Sequence, residues 1–145
     1  MNRQIHEDIE HMAALKSIDL FSGLDTETLY KILKIAKFRR LSKDETIIRK
    51  GETFDCFYVL LEGGVKACPD ENEDCTGTAG PGYGFGELGI IDGRESTTNI
   101  RTSEESLLLE FDGKQFVALM MKNGSIAFSM ARMLSSRLRD ILEAY

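Results

Sequence analysis

The chain is poor in the residues that build catalytic and metal centres: it has two histidines, three cysteines and no tryptophan in 145 residues. His6 and His11 both precede every strand-like run, so a histidine-lined metal barrel cannot be assembled. The strands also offer no Ser-His-Asp or Cys-His constellation, and a non-enzymatic protein is expected. Spaced five apart, the two histidines do not share a helix face. Glu7 and His11 do, but that pair falls short of the four ligands a structural zinc site uses. Cys56, Cys68 and Cys75 are an odd number without a C-x-x-C pair, which fits neither a disulfide framework nor a zinc ribbon.

Long hydrophobic runs are also missing. Stretches such as "FYVLL" and "LLL" are far too short to span a bilayer. The opening "MNRQIHEDIEHM" is charged and has no apolar signal-peptide core. A cytoplasmic location with no membrane partner is expected. In that reducing setting the cysteines read as small buried hydrophobes, although Cys68 and Cys75 can face each other across a hairpin. An excess of positive charge is absent too: the net charge is −6, the wrong sign for a surface that holds nucleic acid by neutralising phosphates. The basic stretch from Lys31 to Lys50 reads as a solvated helix face followed by an alternating strand.

What is present fits one compact domain over residues 1–145. Ile5, Ile9, Met12 and Leu15 recur at helical spacing, and Leu20 to Leu24 breaks the pattern as a turn. Asp25 is placed to cap a second helix with Leu29, Ile32, Leu33 and Ala36 on one face, ending near Lys37. The period then changes. "ETIIRKGE", "CFYVLLEGG", "VKAC", "TTNIR" and "SLLLEF" are short β-branched or aromatic runs, with Gly63-Gly64 and "PDENED" as hairpin tips. N-terminal helices over about 5–37, strands over about 38–111 and C-terminal helices over about 113–145 make a mainly β barrel or sandwich with flanking helices. Asp112 with Gln115 forms a capping box, and Asn123-Gly124 ends the helix it starts. From Ser125 to Tyr145, the residues Ala127, Ala131, Leu134, Leu138, Ile141 and Tyr145 follow a heptad. Such a seam either packs on its own barrel or pairs with a second copy as a homodimer.

The run "GFGELG" at Gly84–Gly89 has the G-x-G-x-x-G spacing of a dinucleotide fingerprint. That fingerprint works only between a buried parallel strand and a long helix. Here "TGTAGPGY" precedes it and Asp92-Gly93 follows one turn later, so a dinucleotide site is excluded. One helical turn opened by Gly86, Glu87, Leu88 and Gly89 still presents amides without intrahelical partners, which suit a small phosphate. Glu87 repels that phosphate unless its carboxylate accepts a hydrogen bond from a sugar hydroxyl. Together these point to a nucleotide whose phosphate and ribose are held close together.

"FGELGIIDG" resembles the phosphate-binding cassette of the cyclic nucleotide-binding domains, found in bacterial catabolite activators, protein kinase regulatory subunits and gated channels. "LFSGL", "KGE", "FYVLLEGGV" and "GPGYGFGE" extend the resemblance over roughly Leu20 to Leu138. It implies a double-stranded β-helix, or jelly roll, in which Phe85 to Gly89 surround the cyclic phosphate and Glu87 takes the ribose hydroxyl. It also implies cAMP, cGMP or a related small phosphate as the ligand, no required cofactor, and a last helix that closes over the base and signals to a downstream effector. The family's DNA-binding members carry a helix-turn-helix after that helix, and this chain stops at Tyr145, so direct nucleic-acid contact is not expected.

One position departs from the pattern. The cassette ordinarily carries an arginine where this chain has Ser96, followed by Thr97 and Thr98. Hydroxyls donate to phosphate but bring no charge. A hydrogen bond to a charged group contributes roughly 1.5–3 kcal/mol, so its loss weakens binding by about one to two orders of magnitude. Arg94, two residues upstream, is a candidate substitute. Ile141-Leu142 also stands where activator-type relatives offer hydroxyls to the base. The alternative is a degenerate fold that serves as a dimerisation or protein-interaction module without nucleotide.

Overall fold

In a computed structural model of the chain, residues 2–69 and 75–145 are described. They form two compact units, residues 1–34 with 118–145 and residues 35–117.

The first unit is helical: α1 (Asn2–Lys16), α2 (Asp19–Ser22), α3 (Thr26–Ile35) and α6 (Gly124–Glu143). Asp25 caps α3 as its position predicts, its Oδ1 accepting the Thr28 N–H at 2.8 Å. Hydrogen bonds from the Thr28 side chain and then from its N–H hold the Asp25 carboxyl below its ordinary range, because they favour the charged form. Leu29 and Ile32 are buried on the face their spacing defines. The expected turn at Leu20–Leu24 holds the short α2 instead, since one helical turn buries both Leu20 and Phe21. α6 packs on α2 and buries Ile126 and Met130. Of the heptad seam, Leu138, Ile141 and Tyr145 are exposed.

The second unit carries the strands β1 (Ala36–Leu41), β2 (Thr46–Ile48), β3 (Cys56–Glu62), β4 (Val65–Cys68), β5 (Gly77–Ala79), β6 (Gly84–Phe85), β7 (Asn99–Thr102) and β8 (Ser106–Asp112). A short helix, α4 (Glu87–Asp92), interrupts them, and α5 (Gly113–Lys122) begins at the end of this unit. Two antiparallel four-stranded sheets result, β1-β8-β3-β6 and β2-β7-β4-β5. β3 is buried on both faces. Tyr58 and Leu60 join Leu41, Ile48, Val65, Phe85 and Leu108 in the core. On its other face Phe57 meets Phe111 and Phe116, with ring centroids 6.1 and 4.9 Å away. α5 starts where the capping box predicts, with the Gln115 N–H donating to Asp112 Oδ2 at 3.1 Å.

Two expectations are corrected here. Gly63-Gly64 is not a hairpin tip: β3 and β4 lie in different sheets, and the glycines form the corner between them. A Cβ at Gly63, whose φ is +92°, would collide with Ser106, so only glycine passes there. The second correction concerns the thiols. Cys68 and Cys75 are joined in a disulfide, because the antiparallel β4–β5 ladder brings both to one hairpin end. Cys56 alone is a free thiol. The "PDENED" tip lies largely outside the described residues.

Candidate ligand-binding site

The cassette starts from an anchored point. β6 pairs with β3, matching Tyr58 with Phe85, and the Phe85 ring stacks on Tyr58 at 5.2 Å and on Tyr83 at 6.0 Å. The chain then turns through Gly86 at φ +91°, a left-handed position. A Cβ there would lie 2.6 Å from the Cys56 carbonyl oxygen. A Cβ at Gly89 would lie 2.5 Å from the Phe54 ring. These two glycines therefore let α4 lie against β3 and Phe54. α4 closes at Gly93, whose N–H donates to the Gly89 carbonyl at 2.9 Å. Leu88 and Gly89 fall in its first turn, where amides have no intrahelical acceptor. Glu87 is 6% exposed and Leu88 is largely exposed.

The opposite wall is the segment after Gly93. The Arg94 N–H donates to Asp92 Oδ1 at 2.9 Å. The Ser96 N–H donates to the Glu52 carbonyl at 3.0 Å, and the Gly51 N–H returns a bond to the Ser96 carbonyl at 2.9 Å. This two-bond bridge ties the segment to the loop after β2. The Ser96 hydroxyl donates to the Thr98 carbonyl at 2.7 Å and accepts the Thr98 N–H at 3.3 Å. Thr97 is exposed and Thr98 is half-buried.

Between the walls lies a cleft of about 1010 Å³. All nine residues singled out from the sequence line it: Phe85, Gly86, Glu87, Leu88, Gly89, Arg94, Ser96, Thr97 and Thr98. Lys50, Phe54 and Tyr83 line it as well and were not singled out. Lys50 and Tyr83 sit in the "KGE" and "GPGYGFGE" runs. Phe54 stands alone in a loop, without periodicity to mark it. Lys50 is fixed from behind by its N–H, which donates to Asn99 Oδ1 at 2.9 Å.

The groups behind the cassette are protonated at neutral pH. Burial pushes the Tyr58 phenol well above its ordinary range and also raises the Cys56 thiol. Among the described residues, no three His, Cys, Asp or Glu converge to hold a metal, and no helix is long and apolar enough to cross a membrane. The cleft offers amide and hydroxyl donors, the buried carboxylate of Glu87, the cations of Lys50 and Arg94 and the carboxylates of Asp92 and Glu95. That set suits a polar ligand with several hydroxyls.

Residues 38–123 match the cyclic nucleotide-binding domain family. Over 123 residues the chain is 26% identical to the CRP-like cAMP-activated global transcriptional regulator of Mycobacterium tuberculosis, covering 83% of this chain and 55% of the regulator. The catabolite activator protein of Thermus thermophilus superposes with a TM-score of 0.75 at 25% identity, over 87% of this chain and 61% of that one. A regulatory subunit of a cAMP-independent protein kinase A from Trypanosoma brucei, as a mutant bound to cAMP, gives 0.76 at 22% identity, over 89% and 47%. The chain spans between 14% and 60% of the lengths of the curated relatives it matches. The paired four-stranded sheets, the glycine-bounded cassette between β6 and β7 and the match over residues 38–123 place this chain in the cyclic nucleotide-binding domain family, related to the catabolite activators and protein kinase A regulatory subunits.

Proposed function

We propose that the chain is a non-enzymatic sensor that takes a cyclic nucleotide, cAMP or cGMP, in the cleft and signals through α6 to a downstream effector. The observation that carries this reading is the convergence of all nine cassette residues on one cavity with Glu87 buried in its wall. The Leu88 and Gly89 amides receive the cyclic phosphate, and Glu87 accepts the ribose hydroxyl. Arg94 and Lys50, which line the cleft together with Asp92 and Glu95, are the cations available where Ser96 brings none. The cAMP-bound Trypanosoma brucei subunit is a mutant in which one of three substitutions turns a threonine into arginine. Ser96→Arg makes the corresponding kind of change here.

Calorimetric titration of cAMP and cGMP into protein stripped of nucleotide by denaturation and refolding tests the proposal. Weak saturable binding in the natural chain, tightened about 10- to 100-fold by Ser96→Arg, is expected from restoring a charged hydrogen bond. No heat from either protein, with both folded, overturns it.

A second reading is favoured by two observations: the Ser96 hydroxyl is already satisfied by Thr98, and α6 exposes Leu138, Ile141 and Leu142, with Tyr145 exposed just past its end. In it the fold is a dimerisation module whose α6 pairs with that of a second copy. Sedimentation showing a monomer at every concentration removes it.

A further inference from the structure

The Cys68–Cys75 disulfide has a cation beside it that the cleft does not use. Arg101 of β7 places Nη2 3.4 Å from Cys68 Sγ and 3.8 Å from Cys75 Sγ. Its Nε is buried and has no hydrogen-bond partner among the described residues. The neighbouring Lys66 and Asp44 are an ion pair whose charges offset, so Arg101 is the cation that faces the sulfurs. Lys66 of β4 stands directly opposite Arg101 in the ladder, and Asp44 is paired with Lys66 at 3.0 Å. A thiolate next to guanidinium is stabilised, and a disulfide with a stabilised leaving thiolate exchanges faster.

We propose that Cys68–Cys75 is a thiol–disulfide exchange site in which Arg101 holds the leaving thiolate. Cys68 is fully buried and Cys75 is half-buried, so an incoming thiolate reaches Cys75. Attack at Cys75 Sγ forms a mixed disulfide and breaks the internal S–S bond, and Cys68 leaves as a thiolate beside Arg101. A second thiolate then attacks the outer sulfur of the mixed disulfide and releases Cys75. The two electrons come from two small-molecule thiols, or one dithiol, which leaves as its own disulfide. Two protons from solvent complete the reduced pair.

The site also has a route to the cleft. The Asn99 amide donates to the Cys68 carbonyl at 3.1 Å, while its Oδ1 accepts the Lys50 N–H that fixes one edge of the cleft. β5 is an edge strand held by β4 alone, so opening the disulfide frees the β4–β5 end beside the Cys68–Asn99 pair of the β4–β7 ladder.

The test begins with thiol counts on denatured, air-equilibrated protein, which are expected to give one thiol before dithiothreitol and three after. Reduction is expected to slow about three- to tenfold in Arg101→Met and to recover in Arg101→Lys, from the loss and return of a neighbouring charge. In the reduced natural chain, one thiolate is expected to form below the ordinary thiol range by ultraviolet absorbance, and the Lys50 amide resonance is expected to shift. Three thiols without reductant, natural reduction rates in a folded Arg101→Met, or thiols that all titrate at or above the ordinary range overturn the exchange site. An unmoved Lys50 resonance overturns the route to the cleft.

Discussion

The two walls of the cleft are held by different physics. On the glycine wall, steric contact decides the sequence: Gly86 abuts the Cys56 carbonyl, Gly89 lies under the Phe54 ring, and neither tolerates a Cβ without movement. On the hydroxyl wall, hydrogen bonds decide the conformation. Ser96 is tied by its backbone to Gly51 and Glu52 and by its hydroxyl to Thr98, while its neighbours face solvent. A wall built on exclusion permits few residues, whereas one built on backbone bonds permits many side chains. The departure from the family's usual cassette falls on the permissive wall, so the arginine can be absent while the fold remains.

Substitutions can break this contrast. Gly86→Ala combines a left-handed φ with a backbone collision and is expected to cost about 2–3 kcal/mol, lowering Tm by roughly 5–10 °C in a thermal melt. Ser96→Arg, on the other wall, loses the two hydroxyl bonds to Thr98 but no backbone bond, and is expected to lower Tm by less than Gly86→Ala while tightening cAMP or cGMP about 10- to 100-fold by calorimetry. If it lowers Tm as much as Gly86→Ala, the contrast fails. Gly89→Ala is expected to destabilise the natural chain by about 1 kcal/mol and to cost little in a Phe54→Ala background. Denaturant midpoints of the single and double variants measure that coupling. The smallest effect is kinetic. Burial raises the Cys56 thiol, so its alkylation is expected to become appreciable only above the pH at which an exposed cysteine reacts. Gly86→Ala, by disturbing the Cys56 backbone, is expected to move that profile down.

Much of the helical framework was legible in the chain because its signals are local. Asp25 and Asp112 lie three residues before the amides they cap, and the apolar stripe of α3 repeats within ten residues. The strand runs of β3 and β8 were legible for the same reason, and so was the cassette, whose glycines sit within six positions. Their assembly was not legible. Gly63-Gly64 looks the same as a hairpin tip or as a corner between sheets, and the pairing of β3 with β8 decides which. Phe54 carries no pattern, yet its ring explains Gly89. The Cys68–Cys75 bond is a geometric option in the sequence, but a reducing compartment, as expected from the chain, says nothing about how closely the ladder brings two sulfurs together.

Residue order alone specified the element types, the caps, the glycine cassette and the missing arginine, since each depends on neighbours a few positions apart. Only the folded chain decided that Lys50, Tyr83 and Phe54 share a cleft with Ser96, that Asn99 joins Cys68 to Lys50, and that Arg101 reaches two sulfurs. Those contacts join residues about 10 to 50 positions apart. Antiparallel sheet registers and a corner between sheets bring them together, and no short-range pattern encodes either.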